Sequence, residues 1–155
     1  MQQCGRVESR ATNYPSLPTV AMLTITKEFL FDAAHRLCLK NLSEEENREI
    51  YGKCYQLHGH TYRLQVSVSG PVRPEGMIMN FSELKKIVED LVIKRYDHTF
   101  LNDLDEYKDL PSTAENMARQ IFQTLEKALL DWNIVLQTIV LFETPTSWAT
   151  VTRDA

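Results

Sequence analysis

The chain has 155 residues, 43% of them hydrophobic and 25% charged, which fits one domain with a core that needs no disulfide or metal staples. A formal net charge of -4 without a basic stripe argues against nucleic acid as a partner, and no apolar run reaches the ~18 residues of a membrane span. Three cysteines, Cys4, Cys38 and Cys54, are odd in number and irregular in spacing, which argues against a disulfide framework and for a reducing, cytoplasmic setting.

Residues 1–21 carry Asn13, Pro15, Ser16 and Pro18 and no apolar leader region, so they are expected to form a flexible arm before a single domain over 22–155. Arg6 and Arg10 leave an organelle-targeting reading of that arm open. From Leu23 to His35 the residues alternate: Ile25, Phe29, Phe31, Ala33 and His35 share one parity, interrupted by Lys27, which predicts a strand with one buried face. Leu37 to Lys53 turns polar and reads as a surface loop with room for a short helix. His58, His60, Tyr62, Leu64, Val66 and Val68 then define the clearest strand of the chain. Past Gly70, Pro71, Pro74 and Gly76, the run GMIMNF reads as a short strand returning along it in a hairpin.

Leu84, Ile87, Val88, Leu91 and Val92 follow at helical spacing behind a cap at Asn80 or Ser82, and the pattern stops after Arg95. A second helix is expected from Ser112, which forms an S-x-x-E capping box with Glu115, to about Trp132. Ile134–Glu143 is a β-branched strand, and TSWATVT adds a last short one. Runs of strands with segregated helices predict an α+β fold, an antiparallel sheet with the helices on one face.

The chemistry concentrates in four histidines. His58 and His60 are two apart on a strand, so both imidazoles point one way with their Cβ atoms roughly 6–7 Å apart, a spacing that lets them share an ion. His35 ends the neighbouring strand and can add a third nitrogen, leaving zinc an open fourth position; alone, each signal also fits a structural histidine. Cys54, four residues before His58, can be a further ligand, a structural thiol or a thiolate base. Asp97 and His98 are either an acid–imidazole pair or two polar residues of a helix-end loop. Glu143 ends a strand with a carboxylate that can accept two N–H donors of a planar heterocycle, or faces solvent.

The stretches FDAAHRL, YGKCYQLHGHTY, GMIMNFSELK, YDHTFLN, PSTAEN and FETPTSWA, in this order from about Phe31 to Ala149, resemble the 6-pyruvoyl-tetrahydropterin synthase / 6-carboxy-tetrahydropterin synthase family. The resemblance implies the tunnelling fold, with trimers stacked into homohexamers and active sites between subunits. It implies zinc on His35, His58 and His60, Cys54 as the proton-abstracting base, and Asp97 orienting His98 in an acid–base pair. Glu143, helped by the backbone near Ser112 and Thr113, would hold the pterin ring.

The implied substrate is 7,8-dihydroneopterin triphosphate. The compact C-x-x-x-H-x-H spacing resembles the carboxy branch, which releases triphosphate and acetaldehyde and leaves 6-carboxy-5,6,7,8-tetrahydropterin for queuosine synthesis. The alternatives are the pyruvoyl branch, which eliminates triphosphate only, and a non-catalytic zinc- or pterin-binding protein on the same fold. Asn80 and Tyr96 depart from the aspartate and leucine usual in the family, and Arg36, Lys40, Lys53 and Arg63 are the candidate triphosphate contacts.

Overall fold

The two best alternating runs become the two longest strands, β1 (Thr24–His35) and β2 (His58–Ser69), in a computed structural model that describes residues 22–154. The expected arm over 1–21 lies outside the described residues. The strands pair antiparallel along their whole length, from Thr24 opposite Ser69 to His35 opposite His58. β3 (Thr99–Phe100), β4 (Val135–Thr144) and β5 (Ser147–Thr152) complete a five-stranded sheet in the order β3-β1-β2-β4-β5. Every pairing is antiparallel except the two-residue parallel contact of β3 with β1, which sequence reading does not anticipate.

One face of this sheet carries the core. Phe31, Tyr62, Leu64, Val66, Ile139 and Leu141 point to it, and two helices cover it: α4 (Ala114–Leu129) with Met117, Ile121 and Leu125, and α2 (Phe81–Val88) with Leu84 and Val88. Each fully buried side chain of this size stabilises the fold by about 1.5–3 kcal/mol. Lys27 keeps its place on the inward parity because its ammonium lies 5.8 Å from the Phe29 ring and 6.0 Å from the Phe81 ring.

α2 starts on a reciprocal cap: Asn80 Oδ1 accepts from the Ser82 N–H, and Glu83 accepts from the Asn80 N–H. The helix runs on through a wide π turn (Glu89–Ile93) into a last turn, α3 (Lys94–Tyr96). Tyr96 points into the core, where its hydroxyl accepts from the Tyr107 hydroxyl and donates to the Glu106 carboxylate, so this departure from the family pattern is a packing feature. The polar loop after β1 does carry a short helix, α1 (Glu44–Tyr51), capped by Ser43. Its buried Asn47 bonds to the backbone of Leu39, Leu42 and Ser43.

Two expectations need correction. GMIMNF forms no strand, because both edges of β2 are already taken by β1 and β4; its Ile78 and Met79 are instead tucked into the core from an irregular turn. The cap of α4 is Thr113, whose Oγ1 accepts from the Asn116 N–H, one residue later than the expected Ser112 box. Ser112 is buried and used elsewhere.

Candidate metal centre

The β1–β2 register assembles the histidines. His35 sits directly opposite His58, and His60, two residues along, faces Ala33, whose small side chain leaves the space open. One ring nitrogen from each of His35, His58 and His60 lies within 4.8 Å of the other two. His35 is fully buried at the end of the core, while His58 and His60 are partly covered.

Backbone carbonyls set the tautomers. His35 Nδ1 lies 3.0 Å from the Ser112 carbonyl and His58 Nδ1 lies 2.7 Å from the Gln56 carbonyl. A carbonyl only accepts, so both rings carry their proton on Nδ1 and turn a lone pair outward on Nε2. Those two Nε2 atoms are 3.1 Å apart, a separation at which two lone pairs repel unless a cation lies between them. His60 Nε2 is buried and has no hydrogen-bond partner among the described residues. Three convergent imidazole lone pairs fit a borderline-soft divalent ion such as zinc.

Burial favours the neutral form of His35 and His60. It pushes the His35 pKa down to about 4 against the opposing pull of the Ser112 carbonyl, and neighbouring His58 and His60 push the same way. Burial also lowers the His60 value, partly offset by the Glu143 carboxylate. His35 and His60 are therefore neutral at neutral pH, the state in which an imidazole can bind a metal.

Glu143 follows Ile139 and Leu141 on the inward parity of β4, so its carboxylate points at the same cluster. Its Oε1 lies 3.7 Å from His35 Nε2 and 3.8 Å from His60 Nε2, which adds negative charge beside the three nitrogens. It also lines two clefts. One, of about 510 Å³, includes His60, Arg63 and Phe142. The other, of about 320 Å³, includes Leu37, Thr113 and Trp148, and is at the small end of ligand pockets. Ser112 does not line that cleft; its carbonyl is engaged by His35.

Asp97 and His98 touch directly, with Asp97 Oδ1 3.0 Å from His98 Nδ1. Asp32, which sequence reading passed over, holds both. Its N–H donates to Asp97 Oδ1 at 2.9 Å, and its carbonyl accepts from the His98 N–H at 2.6 Å. Thr61 Oγ1 donates to the Asp32 carboxylate at 2.6 Å. This clamp fixes His98 at φ +57, in the left-handed region. The Asp32 N–H, and next to it His98, hold the Asp97 carboxyl below its ordinary range. Only the outward parity of Asp32 and Thr61 could have flagged them, and that parity marks solvent-facing residues equally well. A cleft of about 530 Å³ is lined by His98, Gly59 and His60.

Cys54 lies in the tight turn Gly52–Tyr55 that leads into β2, and it is exposed. It stands outside the histidine cluster, with its carbonyl tied to the Leu37 N–H at 2.8 Å. His98 is also exposed.

Comparison with known proteins places this geometry. The family model described as 6-pyruvoyl tetrahydropterin synthase matches residues 24–154. A 6-pyruvoyl tetrahydrobiopterin synthase of Dictyostelium discoideum is 43% identical over 110 residues, covering 70% of this chain and 82% of the relative. A 6-carboxy-5,6,7,8-tetrahydropterin synthase of Haemophilus influenzae is 35% identical over 149 residues, covering 82% and 96%. The solved structure of the Caenorhabditis elegans 6-pyruvoyl tetrahydropterin synthase superposes with a TM-score of 0.79 at 34% identity, covering 86% of this chain and 97% of the other.

Proposed function

Because the chain belongs to the 6-pyruvoyl tetrahydropterin synthase family and shares its tunnelling fold, we propose that it is a zinc-dependent lyase acting on 7,8-dihydroneopterin triphosphate. The observation that carries this reading is the convergence of the His35, His58 and His60 lone pairs beside the Glu143 carboxylate, at one end of the sheet. Zinc held there supplies a Lewis acid for the oxygens of the pterin side chain.

The chain's own residues divide the remaining work. Glu143 accepts the amino and ring N–H protons of the pterin, with Thr113 and the backbone beside Ser112 closing the slot. Cys54 as thiolate takes a proton from the side chain, and His98, oriented by Asp97, moves protons to and from its oxygens. Oxidation of the side chain balances reduction of the ring, so no external reductant enters. Cys54 and His98 are exposed on the single chain, which supports an active site completed between subunits of a homohexamer. Cys38 and Cys54 are free thiols and no helix of the described residues is long and apolar enough to cross a membrane, which supports a cytoplasmic place.

The short turn that brings Cys54 four residues before His58 favours the carboxy product: water is consumed, the side chain is cut between its first two carbons, and acetaldehyde and triphosphate leave. The pyruvoyl reading has its own support, since the relatives at 43% identity carry that name. Zinc-loaded protein incubated with 7,8-dihydroneopterin triphosphate separates them. Acetaldehyde with 6-carboxy-tetrahydropterin is the expected outcome; triphosphate with a pyruvoyl product and no acetaldehyde selects the second reading. No turnover at all leaves only a binding protein.

A further inference from the structure

The four basic side chains compatible with an anionic ligand do not stand equal in the structure. Lys40 faces Asp109 at 3.4 Å, and Arg63 faces Glu28 at 3.9 Å while its guanidinium lies over the Phe142 ring. Among the described residues, no carboxylate lies within ion-pair distance of Arg36 or Lys53. Of those two, Arg36 is also held in place. Its N–H donates to Asn102 Oδ1 at 2.9 Å, Asn102 Nδ2 donates back to its carbonyl at 2.8 Å, and the next residue, Leu37, bonds to the Cys54 carbonyl at 2.8 Å. Arg36 is thereby fixed between the buried His35 and the turn that carries Cys54.

A second cation meets it there. The Arg36 guanidinium lies 5.3 Å from the centre of the Tyr55 ring, and the Arg48 guanidinium lies 5.4 Å from the same ring. Arg48 has only a solvated contact with Glu44 at 3.5 Å. Two guanidiniums gathered on one ring repel each other, and among the described residues the one carboxylate at ion-pair distance from either is Glu44, beside Arg48. Each offers a planar fork of N–H donors that matches phosphate oxygens in pairs.

We propose that Arg36 and Arg48, arrayed on Tyr55, bind the polyphosphate tail of the substrate and select phosphorylated pterins over their free alcohols. This rests on the reading of the chain as an enzyme of a pterin triphosphate. It places the tail beside Cys54 and leaves the ring end to Glu143.

The test uses the zinc-loaded full chain, titrated calorimetrically with inorganic triphosphate and with unphosphorylated neopterin. Each Arg→Gln change removes a charged, two-pronged contact and should weaken triphosphate binding about tenfold, and the R36Q/R48Q double variant further. Neopterin affinity and zinc content should stay as in the parent, and KM for the triphosphate substrate should rise with kcat within about twofold. K85Q, which removes a helix charge outside this site, should bind triphosphate normally. Should the glutamine variants misfold, R36K and R48K keep the charge but lose the fork, and should still weaken binding. Unchanged triphosphate affinity in the folded double variant overturns the proposal, as does a parent chain that binds no triphosphate. A parent that binds triphosphate through these arginines yet turns over no substrate leaves this site standing and defeats the proposed reaction instead.

Discussion

Metal-free protein should lose stability as the solution is acidified from about neutral to about pH 4, with His35 carrying much of the loss. The His35 ring is fully buried, its Nδ1–H is held by the Ser112 carbonyl, and burial lowers its pKa from the ordinary 6.5 to about 4. In the unfolded chain the same ring titrates normally. Between those two values the unfolded state binds a proton that the folded state refuses, so stability is fully present above 6.5 and falls away as pH drops toward 4. At ~1.4 kcal/mol per pH unit the gap sets a ceiling of about 3 kcal/mol, and the partial exposure of neighbouring His58 and His60 brings the expected loss nearer ~2 kcal/mol. That is a large share of the roughly 5–15 kcal/mol that holds a domain together. Urea titrations of chelator-treated protein, followed by circular dichroism from about pH 7.5 to 4, read it directly. His35→Gln, which cannot titrate, should flatten the pH dependence by that amount, leaving the contribution of His60 in both proteins. Parallel pH–stability lines for parent and variant would refute the reasoning.

Cys54→Ala should keep a full complement of zinc, measured by elemental analysis, while turnover of dihydroneopterin triphosphate falls at least about a hundredfold. Loss of zinc in that variant would make Cys54 a ligand and remove it as the base. Glu143→Gln should weaken neopterin binding about tenfold or more with metal retained, as expected of a ring anchor and not of a fourth ligand. Asn47→Ala should lower the urea-unfolding free energy by about 2–3 kcal/mol, because a buried side chain that bonds to three backbone residues leaves their groups unpaired.

Much of the fold is legible in the sequence because period-two patterning is strict where one face of a strand is buried. The parity of Phe29, Phe31, Ala33 and His35, and of His60, Tyr62, Leu64 and Val66, gives both central strands and the face the histidines share. Sheet order is the part such patterning lacks. GMIMNF looks like a short returning strand, but β4 arrives from far along the chain and takes the edge it would have used. Capping is legible to within one residue: Ser112-x-x-Glu115 looks like the box, yet burial against His35 removes Ser112 and hands the cap to Thr113. The convergence of His35 on His58 depends on the β1–β2 register, which neither strand shows alone. The Asp32 clamp on His98 and the sharing of Tyr55 by Arg36 and Arg48 join separate elements of the fold, and no local spacing announces them.

X-ray absorption at the zinc edge of the metal-loaded protein tests the centre most directly. Three imidazole nitrogens at ~2.0–2.1 Å, with a light solvent atom in the remaining position and no sulfur, is the predicted first shell. A sulfur at ~2.3 Å, or metal content that is unchanged when His58 and His60 are both replaced by alanine, would contradict a centre built on His35, His58 and His60.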